Sequence, residues 1–191
     1  MPSFAGMSTW TFLREGLKNI GVTGTLTRSS PALCRSVIER IDFSAATLVV
    51  ELGAGDGVIT RHLLRRLGPA AQVVAFEVSP DLCAELQALN DPRLLVVNDS
   101  AEHLEKYLLG FGLTQVNAVV SAVPFTLLPL AVTQATVAAA YRCLEIGGGY
   151  HQIHYSLKTK EIYRRAFGNL SIQRVLFNLP PAFVLHCKKP A

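Results

Sequence analysis

The chain of 191 residues is long enough for one domain with a sizeable core and too short for two comfortable ones. Half of its residues are hydrophobic and only 17% are charged, which excludes a disordered chain. The net charge of +4 favours an anionic surface, of either phospholipid or nucleic acid, without choosing between the two.

The four cysteines, Cys34, Cys83, Cys143 and Cys187, lie far apart and form no C-x-x-C pair. Neither a zinc site nor a disulfide framework is therefore indicated, and we expect free thiols of a cytosolic protein and no metal. The N-terminus has no charged segment followed by an apolar segment and a cleavage site, so it is not predicted to be a secretory signal.

The first predicted element is an amphipathic helix over residues 8–20. Arg14 and Lys18 flank its apolar face, which recurs at helical spacing as Trp10, Leu13, Leu17 and Ile20. This composition is typical of a helix that lies in a membrane interface and equally of a helix that packs on the domain. Ser30 and Pro31 then predict the start of a second helix that runs to about Ile41. Residues 1–45 are thus a helical extension before a core of residues 46–191.

The core opens with a short β-branched and apolar run at residues 47–52, interrupted by Glu51. Three glycines at alternate positions follow it, and residues 58–67 then repeat apolar side chains at helical spacing. A glycine turn between a strand and a helix leaves bare backbone against which a nucleotide-like ligand can lie. The spacing G-x-G-x-G differs from the G-x-G-x-x-G of dinucleotide sites, and the carboxylate of Glu51 suits a cationic group. The turn is predicted to bind a cofactor, and the alternative is a glycine turn that only packs the helix on the strand.

Two further strands end in acidic residues. The strand at 72–78 carries Glu77 at its tip, where a carboxylate accepts hydrogen bonds from ribose hydroxyls. The strand at 93–98 is followed by Asp99, which can bind an adenine amino group, and by Ser100, which can cap the next helix. A surface carboxylate and a simple helix cap are the alternative readings of these acids.

Between Lys106 and Arg142 the chain has no charged residue, and a hydropathy window would mark 118–140 as a membrane span. We predict instead a strand at 116–122, a proline loop and a helix at 129–144, since a strand buried on both faces of a parallel sheet is uniformly apolar.

The remaining chain predicts a turn at the glycines 147–149, a strand at 150–156, a helix at 159–167 and strands at 171–179 and 182–189. Alternating strands and helices with a two-strand finish favour the α/β class. We expect a Rossmann-like, doubly wound, seven-stranded sheet whose last strand is antiparallel, preceded by the N-terminal helices.

The run E-x-G-x-G-x-G resembles motif I of class I S-adenosylmethionine-dependent methyltransferases. With RSSPALCRSVI, FEV, NDSAE and SAVPF, the chain as a whole resembles the bacterial phospholipid N-methyltransferases, which are related to the ribosomal RNA adenine dimethylases. The resemblance implies S-adenosylmethionine as cofactor, bound by Glu51, Leu52, Gly53, Ala54, Gly55, Gly57, Glu77, Val78, Asp99, Ser100, Ala101, Ser121 and Ala122. It also implies an acceptor site, to which we assign Pro124, Phe125, His154 and Tyr155.

The fifth strand offers candidates for the base that takes a proton from the amine, although a structural role is the favoured interpretation of each and water is an alternative base. Alternation places Tyr150 and His154 on one face and His151 and Tyr155 on the other.

The proline motif distinguishes the two related activities. RNA adenine dimethylases carry N-L-P-Y, and here Ala122 occupies the position of that asparagine and cannot hydrogen-bond an adenine amine, although Phe125 could still stack on a base. Those enzymes also carry a helical RNA-binding domain after the sheet.

The resemblance therefore implies N-methylation of phosphatidylethanolamine-type lipids by a cytoplasmic protein that binds the anionic inner face of the cell membrane. An RNA adenine methyltransferase and a non-catalytic S-adenosylmethionine-binding module stay open, as does the oligomeric state.

Overall fold

The computed structural model describes residues 29–191, so the helix predicted over residues 8–20 lies outside the described residues. The helices are α1 Pro31–Ile38, α2 Val58–Arg66, α3 Pro80–Gln87, α4 Leu104–Gly110, α5 Leu130–Cys143 and α6 Lys160–Phe167. The strands are β1 Leu48–Leu52, β2 Gln72–Phe76, β3 Leu94–Val97, β4 Val116–Ser121, β5 Leu144–His154, β6 Ser171–Val175 and β7 Ala182–Lys188. Short 3-10 turns cover Ala101–His103 and Phe125–Leu127.

The seven strands form a single sheet in the order β3-β2-β1-β4-β5-β7-β6. Strands β1 to β5 pair in parallel, whereas β7 runs antiparallel to both β5 and β6. Helices cover both faces, so every residue of β1 is buried. This confirms the predicted doubly wound sheet with an antiparallel last strand. Within residues 29–191, none of the helices combines the length and hydropathy that crossing a bilayer requires.

The register of the parallel strands brings their carboxyl ends level with one another. Leu52 lies beside Phe76 on one side and beside Ser121 on the other. Phe76 in turn pairs with Val97, and Ser121 pairs with Gln152. The residues that follow these five therefore share one border of the sheet, which we call the carboxyl edge. Ligands of open α/β sheets bind at this edge.

The glycines at 147–149 do not form the predicted turn, and this prediction was wrong. They lie inside β5, where the register to β4 shifts between Val116 and Ala118 and produces a bulge. Gly147 adopts a positive φ of 83°. A Cβ on Gly148 would lie 2.9 Å from the carbonyl oxygen of Glu145, so the bulge depends on the missing side chain. The chain stays in the sheet because the Gly147 amide donates to the carbonyl of Lys189 at 2.9 Å.

Side chains of β5 alternate between the faces of the sheet as predicted. Tyr150 and His154 both contact Tyr163 of α6, with the His154 Nε2 2.8 Å from the Tyr163 hydroxyl. On the opposite face, the Nδ1 atoms of His151 and His186 lie 2.9 Å apart. Both rings of this pair are buried, and the His151 Nε2 has no hydrogen-bond partner among residues 29–191.

The buried histidine pair predicts that the protein loses stability in mild acid. Burial lowers the pKa of His151 from 6.5 to about 3 and that of His186 to about 4, and Arg40 contributes in the same direction. Since the unfolded chain binds protons first, the contribution of the pair is complete above pH 6.5 and is lost as the pH falls from 6.5 towards about 3. Each proton that the unfolded chain binds and the folded chain does not bind steepens the pH dependence of the free energy of unfolding by about 1.4 kcal/mol per pH unit.

Urea unfolding at pH 7.5, 6 and 5 measures this slope. The double variant His151→Gln/His186→Gln should give a shallower slope than the parent, with a remainder from His154, whose pKa burial also lowers, to about 4. Equal slopes in the two proteins would contradict the assignment.

Candidate active site

The three glycines after β1 all adopt the left-handed region, with φ of 72° at Gly53, 56° at Gly55 and 76° at Gly57. Two of them allow close packing, because a Cβ on Gly53 would lie 3.1 Å from Val123 and one on Gly57 would lie 2.9 Å from Leu86. A Cβ on Gly55 would meet nothing within 4 Å. Gly55 is therefore the glycine that faces open space, where a ligand can lie against the main chain.

Glu51 is fully buried at the end of β1, directly before the turn. Its Oε2 accepts a hydrogen bond from the Thr60 hydroxyl at 2.6 Å, while Oε1 is buried without a hydrogen-bond partner among the described residues. Desolvation, with smaller contributions from the nearby Glu77 and Asp56, raises the pKa of this carboxyl group to about 8. A cationic group at Oε1 would compensate for both the missing hydrogen bond and the raised pKa, because it would donate to this oxygen and stabilise the ionised carboxylate.

Glu77 lies at the end of β2 and is held by main-chain amides. Its Oε2 accepts from the Gly55 amide at 2.9 Å, and its Oε1 accepts from Val78 at 2.8 Å and from Ser79 at 2.9 Å. The carboxylate thus joins the glycine turn to the tip of β2. Its assignment to the ribose hydroxyls stays a prediction, and the structure adds a second role, since truncating Glu77 would leave three amides without this acceptor.

Asp99 follows β3 and accepts hydrogen bonds from the Ser100 amide at 2.7 Å and the Tyr107 hydroxyl at 2.9 Å, with the His103 Nδ1 at 3.1 Å. Burial by itself would raise the pKa of Asp99, but these hydrogen bonds outweigh it and lower the pKa below its usual value. Asp99 is therefore an oriented carboxylate. Sequence analysis missed Tyr107 and His103, although their spacing of eight and four residues along the following helix could have indicated them.

The loop after β4 is held by hydrogen bonds from two neighbouring strands. The Ala122 amide donates to the Leu52 carbonyl at 2.9 Å, and the Gln152 Nε2 donates to the Val123 carbonyl at 3.0 Å. The Tyr150 hydroxyl in turn donates to the Gln152 Oε1 at 3.0 Å. Gln152 was not predicted, because a glutamine within a strand has no sequence signature.

The four residues assigned to the acceptor site differ in exposure. Phe125 is only 1% exposed and belongs to the main core, so its ring is not accessible at the carboxyl edge. His154 is buried against Tyr163, and burial lowers its pKa to about 4, which keeps it neutral at pH 7. Pro124 is partly exposed, and Tyr155 lies just beyond β5 and is exposed. Pro124 and Tyr155 are the members of this set that reach the surface of the carboxyl edge.

The structure thus brings the predicted cofactor residues together at the carboxyl edge. The ends of β1, β2 and β4 contribute Glu51, Glu77 and Ser121, and Asp99 follows β3. The others are partly or fully buried around them: Leu52, Gly53, Ala54, Gly57, Val78, Ser100, Ala101 and Ala122. Among residues 29–191, no group of three or more His, Cys, Asp or Glu side chains is placed to hold a metal ion.

Comparison with known proteins identifies this arrangement. A family profile described as a methyltransferase domain matches residues 49–148, from β1 into the bulge of β5. The ornithine lipid N-methyltransferase of Singulisphaera acidiphila is 30% identical over 180 residues, which cover 93% of this chain and 94% of that protein. The chain belongs to the class I S-adenosylmethionine-dependent methyltransferases. This confirms the predicted family and places the chain with the bacterial lipid N-methyltransferases.

Other relatives match shorter segments. The ribosomal RNA small subunit methyltransferase H of Polynucleobacter necessarius is 38% identical over 60 residues, 31% of this chain and 19% of that protein. Among solved structures, an S-adenosylmethionine-dependent O-methyltransferase from Thermotoga maritima has a TM-score of 0.66 at 14% identity, covering 97% of this chain and 72% of that one. A Burkholderia thailandensis N-methyltransferase with bound S-adenosylhomocysteine has the same TM-score at 14% identity, covering 100% and 94%. These structures share the fold.

The residues at the carboxyl edge fit S-adenosylmethionine. The unpartnered Oε1 of Glu51 suits an ammonium group, the space beside Gly55 leaves the main chain accessible, and the carboxylates of Glu77 and Asp99 are acceptors for hydroxyl and amino groups. The enzyme is a methyltransferase that uses this cofactor.

Glu51 predicts a proton release that accompanies cofactor binding. With a pKa of about 8 it is largely protonated at pH 7, and it should ionise when an ammonium group arrives beside Oε1. Titration calorimetry with S-adenosylhomocysteine in buffers of different ionisation enthalpy should report the release of most of one proton at pH 7. Glu51→Gln should bind more weakly and release none, and equal release from both proteins would place the ammonium elsewhere.

The open space beside Gly55 leads us to expect that a side chain introduced at this position abolishes cofactor binding. In Gly55→Val the new side chain would fill the open space beside the turn, so S-adenosylmethionine should no longer bind. Gly112→Val is a matched control, because Gly112 also has a positive φ, of 71°, and an open surrounding. Calorimetry should show parental affinity for the control, and thermal melts should show a similar destabilisation of both variants. Retained binding by Gly55→Val would mean that the cofactor lies elsewhere.

Proposed function

We propose that this enzyme methylates the amine of a membrane lipid head group at the cytoplasmic face of the cell membrane. The observation that carries the proposal is the match to the ornithine lipid N-methyltransferase, which extends over 93% of this chain and 94% of that protein. The acceptor chemistry is a primary amine on a lipid, as in ornithine lipids and phosphatidylethanolamine.

Two features of the proline loop favour a lipid amine over an RNA adenine. Ala122 has no side-chain group with which to orient an exocyclic amine, and Phe125 is buried in the core rather than placed to stack on a base. Ribosomal RNA methyltransferase relatives, by contrast, match 31 to 52% of the chain and 19 to 32% of those proteins. An adenine would therefore find neither a hydrogen-bonding partner nor a stacking partner in this loop.

The residues of the chain align the reactants. When bound, S-adenosylmethionine would supply a sulfonium-bound methyl group, from which an attacking neutral amine displaces the thioether S-adenosylhomocysteine. Glu51, Gly55, Glu77 and Asp99 would hold the cofactor at the carboxyl ends of β1, β2 and β3. Gln152 fixes the Val123 carbonyl and with it the loop that separates cofactor from acceptor. Such alignment is the main contribution that a protein makes to a displacement of this kind.

The amine must lose its proton before it reacts. His154 is a weak base, because burial lowers its pKa to about 4 and its Nε2 is already 2.8 Å from the Tyr163 hydroxyl. We therefore assign the proton to water at the exposed edge, near Tyr155. In this assignment His154 and Tyr163 act as a neutral buried pair that positions the end of β5.

The test is methyl transfer from labelled S-adenosylmethionine by the full chain. Separate reactions contain vesicles with ornithine lipid, vesicles with phosphatidylethanolamine, vesicles with neither amine, and protein-free ribosomal RNA. Label in one or both amine-containing vesicle fractions, and its absence with Gly55→Val, is the expected result, and the fraction that gains label identifies the head group.

Label in the RNA alone would overturn the proposal. Cofactor binding without label in any fraction would instead indicate the non-catalytic binding module.

A further inference from the structure

The loop between β6 and β7, residues 176–181, presents large apolar side chains to solvent. Phe177 is 85% exposed, Leu179 is 79% exposed and Leu176 is 60% exposed. We call this segment the β6–β7 loop. Three such residues in one short loop form a surface that a soluble protein seldom leaves without a partner.

The sheet places this loop beside the acceptor end of the site. Val175 pairs with Ala182 across the hairpin, and Phe183 pairs with His154 at the end of β5. The β6–β7 loop therefore lies at the carboxyl edge. Neighbouring loops at this edge add further exposed apolar side chains, namely Leu127 and Leu130 after β4 and Tyr155 after β5.

The main chain of the loop is fixed even though its side chains are exposed. The Ser30 hydroxyl donates to the Phe177 carbonyl at 2.7 Å, and the Ser30 amide donates to the Asn178 Oδ1 at 3.0 Å. The Asn178 Nδ2 donates in turn to the Pro180 carbonyl at 2.7 Å. These bonds hold an outward-facing apolar tip in place before any partner binds, which reduces the ordering cost of association.

The position of the loop and its charged neighbours favour a lipid bilayer as the partner. Lys158, in the loop after β5, and Arg174, near the end of β6, are both exposed at the same edge. Apolar side chains ringed by cationic ones are the composition that inserts into an anionic membrane interface.

We propose that the β6–β7 loop inserts Leu176, Phe177 and Leu179 into the membrane and so presents the carboxyl edge to the lipid head groups. The proposal rests on the proposed lipid acceptor. It adds an orientation, with the ends of β5 and β6 facing the bilayer and the amino ends of the parallel strands facing away. A head group would then reach the acceptor site without leaving the membrane interface.

The test uses the full chain, without cofactor, and vesicles of phosphatidylglycerol and phosphatidylcholine. Leu176→Ser/Phe177→Ser should lower the partition coefficient in co-sedimentation about tenfold or more, because two apolar side chains no longer insert. Ile146→Ser/Leu109→Ser is the matched control, since Ile146 and Leu109 are 70% and 75% exposed but lie at the amino end of β5 and the far end of α4. The control should partition like the parent.

A second measurement tests insertion directly. In a Trp10→Phe background, Phe177→Trp should show blue-shifted fluorescence on vesicle addition and quenching by brominated acyl chains, whereas Ile146→Trp should show neither. Unchanged partitioning of the double variant together with an unquenched Trp at position 177 would overturn the proposal. A lower oligomeric state of the double variant would then identify a second copy as the partner, and a lower melting temperature would identify the segment before Ser29.

The outcome is separable from that of the proposed function. Methyl transfer to the same aminolipids dispersed in detergent micelles does not require insertion into a bilayer. Label in micelles combined with unchanged vesicle binding would remove the loop proposal alone. Loss of vesicle binding in the double variant without label in any lipid would support the loop and remove the proposed acceptor.

Discussion

The parallel register that sets Phe76, Leu52 and Ser121 side by side is the constraint on which the site depends. A parallel sheet leaves the carboxyl ends of its strands together, and the residues that follow them then meet although they are tens of positions apart in the chain. A slip of one residue in β2 would exchange the two faces of that strand and turn Glu77 away from the Gly55 amide. The buried apolar faces of β1 and β2 therefore determine the position of polar groups that lie outside the strands.

Burial of Glu51 destabilises the fold locally at the carboxyl edge. An unpartnered buried polar atom destabilises a protein by about 1–3 kcal/mol, and Thr60 relieves only one of the two carboxyl oxygens. Glu77, by contrast, has both oxygens hydrogen-bonded to amides. The two carboxyl groups therefore differ, since Glu77 joins the glycine turn to the tip of β2 through both of its oxygens, whereas Glu51 keeps one oxygen without a hydrogen-bond partner among residues 29–191.

Sequence predicted what local chemistry determines and missed what tertiary contacts determine. The strand, the glycine turn and the helix around Gly55 are contiguous in the chain, so their sequence pattern was sufficient to predict this unit. The glycines 147–149 were predicted as a turn because a glycine run usually breaks a strand, but pairing with β4 and β7 keeps them in the sheet as a bulge. Gln152 and the burial of Phe125 also escaped prediction, because each depends on which loop a distant strand brings near.

The order of the strands divides the carboxyl edge into two halves with different chemistry. Carboxylates lie at the ends of β1 to β3, where they suit the polar groups of the cofactor, whereas exposed apolar side chains follow β4 to β6. The halves meet where β1 lies beside β4, and there a Cβ on Gly53 would lie 3.1 Å from Val123. A side chain at this position would push the glycine turn after β1 away from the loop after β4. Gly53 therefore has a role distinct from that of Gly55, since it permits the close contact between the two halves of the carboxyl edge, whereas Gly55 faces open space.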